Sequence, residues 1–419
     1  MHLRGPDRRL VLSASFLALV VAACGPSPSP VGSPSASAGA PSPSSGATGS
    51  PAARVTCDGR DPGTIWTVAG THDNDVGGAE DAGLGDGGAA TEARLDGPYE
   101  VLLDDAGTIY IAEDGNHPDW NLGRVRTVDA DGIITTAVGP PTPGGVAAEG
   151  DAGALEMYTP WGIAFDPDGI LHVAAGALPT AEVETGYVYR IGPAGEVDVI
   201  AQWPAGVSGS EPALNLPLST VTDVYFDAGG VLYITDIDLA QVWAVDPDGT
   251  ARLFAGSGVR GFAGDGGLAV DARLLEPLRV ASDADGNVYI TDSGNSRVRR
   301  VDAGGIITTV AGGGPAQQRG DGGPATGADL GRPFGVEVGD DGSLYFADAS
   351  DQLIRKVDPS GIISTVAGTG WVTDADHPIG DGGPATEATF DTPSSVTIGP
   401  DGNLYIADWE NARIRMICQ

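Results

Sequence analysis

A unit of about 50 residues recurs six times along this chain, and this repeat constrains the fold more than any other feature. Its clearest copy, residues 320–368, holds four short runs rich in β-branched and aromatic residues, separated by Gly and Asp. Such runs are typical of short antiparallel strands joined by hairpins. Since four strands at this period are typical of a propeller blade, the sequence predicts an all-β, six-bladed β-propeller.

The two ends of the repeat region predict how the ring of blades closes. The sixth unit stops after its third strand, at Ile417, whereas residues 64–70 have the pattern of a fourth strand and precede the first blade. We therefore expect the N-terminal strand to close the C-terminal blade, which leaves no exposed edge strand. The first strands of the six blades are placed near Pro98, Pro160, Val221, Leu278, Pro333 and Ser394.

Two cysteines fall beside this seam when the repeats are aligned. Cys57 and Cys418 then lie within about 10 Å of each other by chain reach. We expect them to form a disulfide in an oxidising compartment, where it would lock the closing blade. The alternative is a pair of free thiols that are neighbours by accident.

The N-terminal 23 residues have the pattern of a lipoprotein signal peptide. Three arginines precede an apolar run over residues 10–23 that is too short to span a bilayer comfortably. Small residues immediately before Cys24 resemble a bacterial lipobox, so we expect Cys24 to carry a lipid after cleavage. The alternative is that Cys24 is buried or paired.

The sequence predicts three parts: residues 1–23 as signal peptide, residues 24–56 as lipidated cysteine and disordered tether, and residues 57–419 as the propeller. The tether consists almost entirely of Pro, Ser, Gly and Ala, which cannot bury enough surface to offset the entropy of ordering. We therefore expect an exported monomer, held by lipid at the bacterial cell membrane or outer surface. Its formal net charge of -35 repels phosphate backbones and argues against a nucleic-acid partner.

The repeat unit reads P-x-G-V-x-V-D-x-x-G-x-L-Y-I-A-D-x-x-N-x-R-I-R-K-V-D, with G-D-G-G-P-A-T in the linkers between units. It resembles the NHL repeat, and the linkers resemble those of bacterial NHL and teneurin-type NHL domains. The resemblance covers residues 64–417 and implies a six-bladed propeller. Because NHL proteins include adhesion and recognition modules, RNA-binding domains and a few enzymes, it implies no single activity.

The GDGG runs lack the neighbours that a phosphate loop or an EF-hand needs. Their recurrence favours a scaffold role, in which the aspartates bond to nearby amides, and calcium bound by one or more of these loops is the alternative. The arginines of the third strands are expected to pair between blades with carboxylates at the ends of the second strands. The GDGG aspartates are Asp86, Asp265, Asp321 and Asp381.

Residues that depart from the repeat are better candidates for a ligand site. In a propeller, the loops between second and third strands emerge on the same side as the linkers between blades. Exposed tryptophan beside acidic residues suits a sugar, peptide or protein surface, although each tryptophan could instead pack against its own loop. The candidate ligand-binding residues on this side are Trp120, Trp371, Trp409, His117, His377 and His72.

We expect an extracytoplasmic binding module for a protein or glycan, without chemistry of its own. The alternative is a metal-dependent hydrolase or lyase acting at the central channel, as in the lactonases and amidating lyase that similar six-bladed folds host. The sequence contains no H-x-H or H-E-x-x-H motif, so it identifies neither a metal site nor catalytic residues.

Overall fold

The computed structural model describes residues 54–71, 84–115, 122–140, 150–176, 186–202, 214–315, 318–372 and 379–419. All of them lie in the compact unit Ser50–Gln419. They form strands and short 3-10 turns, and in these ranges no helix is long and apolar enough to cross a membrane.

Six antiparallel sheets form the six predicted blades. The first strand of the chain, β1 (Ile65–Ala69), belongs to the last blade. Blade 1 has β2 (Pro98–Leu103), β3 (Ile109–Glu113), β4 (Arg124–Val128) and β5 (Ile134–Val138); blade 2 has β6 (Tyr158–Phe165), β7 (Leu171–Gly176), β8 (Tyr187–Ile191), β9 (Val197–Gln202) and a short parallel strand β10 (Leu214–Asn215); blade 3 has β11 (Val221–Phe226), β12 (Leu232–Asp236), β13 (Gln241–Val245) and β14 (Ala251–Ala255).

The second half of the ring follows the same plan. Blade 4 has β15 (Pro277–Ser282), β16 (Val288–Asp292), β17 (Arg297–Val301) and β18 (Ile307–Gly312); blade 5 has β19 (Pro333–Val338), β20 (Leu344–Asp348), β21 (Leu353–Val357) and β22 (Ile363–Ala367); blade 6 has β23 (Pro393–Ile398), β24 (Leu404–Asp408) and β25 (Arg413–Ile417). The 3-10 turns are Ala90–Glu92, Gly150–Ala154, Ala269–Asp271, Ser293–Asn295, Ala325–Gly327, Ala349–Asp351 and Ala385–Glu387.

The N-terminal strand closes the ring as predicted. Strand β1 pairs antiparallel with β25, and Ile65 lies opposite Ile417. The predicted disulfide joins Cys57 to Cys418 beside this seam, with a Cα–Cα distance of 5.5 Å. The first strands of neighbouring blades contact one another around the full circle, from β2 to β23 and back to β2.

Apolar side chains fill the space between the blades. Six buried clusters each combine residues of two neighbouring blades, so every blade buries both faces of its sheet. At the interface of blades 5 and 6, for example, Phe390 and Ile406 pack with Ile354. The stability of each blade therefore depends on its neighbours, as in other repeat folds.

Two sides of the propeller are distinguished below. The turn face carries the turns between first and second strands, and the loop face carries the loops between second and third strands. Every first strand has a bulge or register shift next to its starting residue, for example between Pro98 and Glu100. A bulge bends a strand and redirects its side chains. Here it lies at the loop-face end of the channel.

An arginine of the third strand holds each of blades 1, 4, 5 and 6 to the linker that enters it. Arg299 donates to Asp265 of the linker at 2.6 Å and to Asp292 at the end of β16 at 3.2 Å, and Thr309 donates to Asp265 at 2.7 Å. Arg126, Arg355 and Arg415 repeat this pattern. Two expectations are thereby corrected. The arginine pairs with the second-strand carboxylates lie within one blade. The GDGG aspartates accept from guanidinium groups, and three of them also from threonine hydroxyls, in place of the expected backbone amides.

Candidate functional site

Aromatic and apolar side chains pack together at the loop-face end of the channel. We call this group the axial aromatic cluster. Its members come from the first strands of four blades and from the loops that follow three second strands. They are Tyr99, Trp161, Leu278 and Phe334 from the first strands, and Ile237, Ala349 and Trp409 from the loops.

Tyr99 lies at the centre of the cluster. Its ring centroid is 6.0 Å from that of Trp161, 6.2 Å from Phe334 and 5.3 Å from Trp409, whose indole meets it edge-on. Tyr99 is buried, whereas Trp161 and Trp409 are half-buried. Burial raises the pKa of Tyr99 to about 12, so its hydroxyl stays protonated. The two indoles thus present part of their surface to solvent on a packed base.

The local sequence explains this arrangement. Tyr99, Trp161 and Phe334 each follow a proline at or near the start of a first strand, at the bulge. Gly97 precedes the first of these prolines and has a φ of +63°, and a Cβ there would lie only 3.0 Å from the indole nitrogen of Trp409. Glycine therefore allows the linker into blade 1 to pass close to the cluster.

A buried charged layer lies beneath the cluster. The Arg279 guanidinium donates to Glu100 and to Asp223, each at 2.9 Å, and to the Trp161 carbonyl oxygen. Each carboxylate also accepts a backbone N–H from the next first strand, Ile163 for Glu100 and Val280 for Asp223. Burial raises the pKa of Glu100 to about 8 and of Asp223 to about 6, and Arg279 opposes both shifts. With the Trp161 carbonyl and the Ile163 N–H of blade 2, these groups therefore tie four blades together across the axis.

The structure separates the sequence-predicted residues. Trp409 packs into the axial aromatic cluster, and Trp371, in the linker between blades 5 and 6, is 62% exposed beside the exposed Val372. Trp120, His117, His377 and His72 lie outside the described residues, as does Cys24. Their roles remain predictions.

Of the cluster residues, sequence reasoning identified Trp409 alone and missed the half-buried Trp161. Trp161 follows Pro160 in the slot where Tyr99 follows Pro98 and Phe334 follows Pro333. Aromatic residues in that slot in three of six blades were the available signal. His172, in contrast, is buried, bonds the Ile170 carbonyl through Nδ1 at 3.0 Å and packs edge-on against Phe226, which indicates a packing role.

No group of three or more His, Cys, Asp and Glu side chains within the described ranges is arranged to hold a metal ion. The channel carboxylates Glu100 and Asp223 are instead paired with Arg279. The half-buried indoles near the loop face are suited to contact by stacking and burial.

Comparison with known proteins agrees with the fold. The family model described as the teneurin NHL domain matches residues 146–316 and 314–380, and the NHL repeat model matches residues 390–415. Human teneurin-4 is 30% identical over 259 residues, which are 55% of this chain and 9% of that protein. SUPPRESSOR OF QUENCHING 1, a chloroplastic protein of Arabidopsis thaliana, is 27% identical over 269 residues, 60% of this chain and 24% of that protein. The chain therefore matches less than a quarter of the length of either relative.

Solved structures show the same architecture. An auxiliary nutrient binding protein from Bacteroides ovatus superposes with a TM-score of 0.59 at 16% identity, over 85% of this chain and 76% of that chain. A protein of unknown function from Bacteroides thetaiotaomicron superposes with a TM-score of 0.56 at 20% identity, over 85% and 75%. At these identities the likeness shows the fold alone. Because the teneurin NHL model covers more than half of the chain, the protein belongs to the teneurin NHL-domain family of NHL-repeat β-propellers.

Proposed function

We propose that the protein is an exported, lipid-anchored binding module whose loop face captures a protein or glycan. The observation that carries the proposal is the axial aromatic cluster, in which Trp161 and Trp409 are half-buried on either side of Tyr99. Aromatic rings offer a large contact area at low entropic cost, and tryptophan and tyrosine often dominate binding energy when a partner covers them.

The cluster is already fixed before a ligand arrives. Tyr99 packs against three aromatic neighbours, and Arg279 lies below it with its guanidinium carbon 5.5 Å from the ring centroid. A rigid platform loses little conformational entropy on binding, so more of the contact energy appears as affinity. The exposed Trp371 in the linker into blade 6 offers a second aromatic contact outside the cluster.

The chain enters the domain on the opposite side, the turn face. Arg54 donates to the carbonyl of Gly107, in the turn between β2 and β3, and to the Tyr405 hydroxyl at 3.4 Å. Trp409, by contrast, follows the other end of β24, on which Tyr405 stands. A tether from a lipidated Cys24 would therefore join the domain on the side opposite the loop face, so that the attachment point does not cover the aromatic cluster.

Two experiments test the proposal. A photo-crosslinking amino acid placed at position 409 of the full-length protein should capture one specific envelope protein, or the purified protein should bind a defined set of sugars on a glycan array. The same crosslinker at Trp243, a half-buried tryptophan of blade 3, is the matched control. Equal crosslinking at both positions together with an empty glycan array would contradict a loop-face site.

The anchor is tested separately. In a bacterial host, a Cys24→Ala variant should lose membrane association and remain in the soluble fraction. The wild-type protein should carry a lipid on the N-terminal peptide that begins at Cys24. A Cys24→Ala variant that stays in the membrane fraction would contradict lipid anchoring while leaving the loop-face proposal intact.

A further inference from the structure

A cavity of about 200 Å³ lies in the central channel, on the turn-face side of the axial aromatic cluster. It is lined by the later residues of all six first strands, and no member of the cluster lines it. The cavity is therefore a separate space from the loop-face site. Solvent reaches it, since the Glu100 side chain retains 15% exposure.

The charged layer forms the end of this cavity nearest the cluster, and its groups satisfy one another. Arg279 is shared by Glu100 and Asp223, and both carboxylates accept a backbone N–H in addition. These three side chains therefore have a structural role, because their bonds join neighbouring blades. With two carboxyl groups for one guanidinium, the layer offers no excess positive charge to an anion.

Glu337 is the side chain in the cavity that the architecture does not explain. It stands on β19, two residues after Gly335. The other five first strands have uncharged residues at the position equivalent to Glu337. The structure records no hydrogen bond or ion pair between Glu337 and any described residue, and burial alone raises its pKa to about 8. An unpaired carboxyl group in such a space costs free energy. Because the Glu337 carboxyl group lowers stability and forms no hydrogen bond or ion pair with a described residue, its presence points to a role in binding a ligand.

The Tyr225 ring lies close enough to Glu337 for the carboxylate to act on the Tyr225 hydroxyl, and both residues line the cavity. Phe165 and Phe226 also line the cavity, but their rings pack edge-on against Tyr110 and His172. The Tyr225 ring is fixed, because its hydroxyl oxygen lies 3.0 Å from Oγ of Ser282 and accepts the Ser282 backbone N–H at 3.1 Å. A carboxylate together with aromatic rings is the combination that recognises organic ammonium groups, through charge and cation–π attraction. The negative charge of the whole chain, -35, also raises the local concentration of cations.

We propose that this cavity binds a small organic cation, a primary or quaternary ammonium compound, with Glu337 as its counter-ion and the Tyr225 ring as a wall. The site is independent of the proposed capture of a protein or glycan on the loop face. Its volume limits the ligand to a compact molecule, because the cavity cannot accept a peptide or an oligosaccharide.

Titration calorimetry on the purified full-length protein at a pH above 8, where Glu337 is ionised, tests this, with choline as the probe and 3,3-dimethyl-1-butanol as its uncharged isostere. We expect choline to bind and the alcohol to bind at least tenfold more weakly. Glu337→Gln should weaken choline binding at least tenfold, whereas Glu387→Gln, on an exposed linker turn, should leave it unchanged. Absence of choline binding at millimolar concentration, equal binding of both probes, or full binding by Glu337→Gln would overturn the proposal.

A measurement on the wild-type protein keeps the test independent of how the variant folds. Isotope-filtered NMR should show contacts between the N-methyl protons of choline and the ring of Tyr225. Contacts restricted to Trp161 and Trp409 would place the cation on the loop face and overturn the channel site. That outcome would leave protein or glycan capture open, so the two proposals fail separately.

Discussion

The indole of Trp409 meets the ring of Tyr99 edge-on, with centroids 5.3 Å apart and planes at 75°. This contact joins a loop of blade 6 to the first strand of blade 1, across the interface of these two blades. It gives Trp409 a packing role in addition to the binding role proposed for it. Trp371, which is 62% exposed, has a much smaller share in packing.

The two tryptophans should therefore differ in their effect on stability. Trp409→Ala removes an edge-on aromatic pair and part of the cluster, so it should lower the free energy of unfolding by about 1–3 kcal/mol. Trp371→Ala should change it by less than about 0.5 kcal/mol. Denaturant unfolding of both variants measures this difference. A loss of equal size at Trp371 would show that its indole packs against its own linker.

Arg299 should contribute far more to the free energy of unfolding than an exposed arginine does. Its side chain is fully buried, and Arg299→Ala would leave the buried Asp292 without its cation, at a cost of about 3–5 kcal/mol. Arg252 is the matched control, since its side chain is 45% exposed and pairs with the exposed Asp246. Arg252→Ala should cost less than about 1 kcal/mol. Similar melting temperatures for the two variants would contradict the assigned role of the buried pairs.

Glu337→Gln should raise stability in a pH-dependent way. Burial raises the pKa of Glu337 from 4.5 to about 8, so the folded state holds this proton more tightly than the unfolded state. The stability linked to that proton is fully present below about pH 4.5 and is lost as the pH rises through about 8. Glutamine has no proton to lose. Glu100 and Asp223 titrate in both proteins and largely cancel in the comparison.

The free energy of unfolding of Glu337→Gln should therefore equal that of the wild type near pH 4.5. Above pH 8 it should be higher by about 1–3 kcal/mol, a figure reduced for the partial solvent access of Glu337. Thermal unfolding of both proteins across this pH range measures the difference. An advantage that is constant with pH would mean that ionisation of Glu337 is not its cause.

The disulfide at the seam should stabilise the ring. Cys57 and Cys418 are far apart in sequence, so their bond closes a long loop and should contribute up to about 5 kcal/mol on the chain-entropy model. A Cys57→Ser, Cys418→Ser double variant should melt at a lower temperature than the wild type. Peptide mapping without reduction should recover the linked Cys57–Cys418 peptide from the wild type, and alkylation of both thiols would contradict the bond.

The repeat is a local pattern, and for that reason the sequence predicts the blades, the closing strand and the Cys57–Cys418 pairing. The axial aromatic cluster is not local. Tyr99, Trp161 and Phe334 belong to three different blades, and only the bulge at the start of each first strand directs them to one point. A sequence pattern that identifies each blade does not show which of its side chains will meet at the axis.

The contacts of the channel side chains could not be predicted from the sequence for a related reason. Glu100, Asp223 and Arg279 hold equivalent positions in blades 1, 3 and 4, where blades 2 and 5 have glycine, but their pairing depends on the arrangement of the first strands around the axis. Glu337 stands in a strand whose pattern otherwise follows the repeat. Its isolation is visible only when the groups around it are known.

The most direct test of the loop-face site is the affinity of the captured protein or glycan for a Trp161→Ala, Trp409→Ala double variant. We predict a loss of at least a hundredfold, with circular dichroism showing the wild-type fold, since residues of this kind often each carry 2 kcal/mol or more at an interface. Trp243→Ala, remote from the axis, should bind as the wild type does. Unchanged affinity in the folded double variant would contradict the central claim.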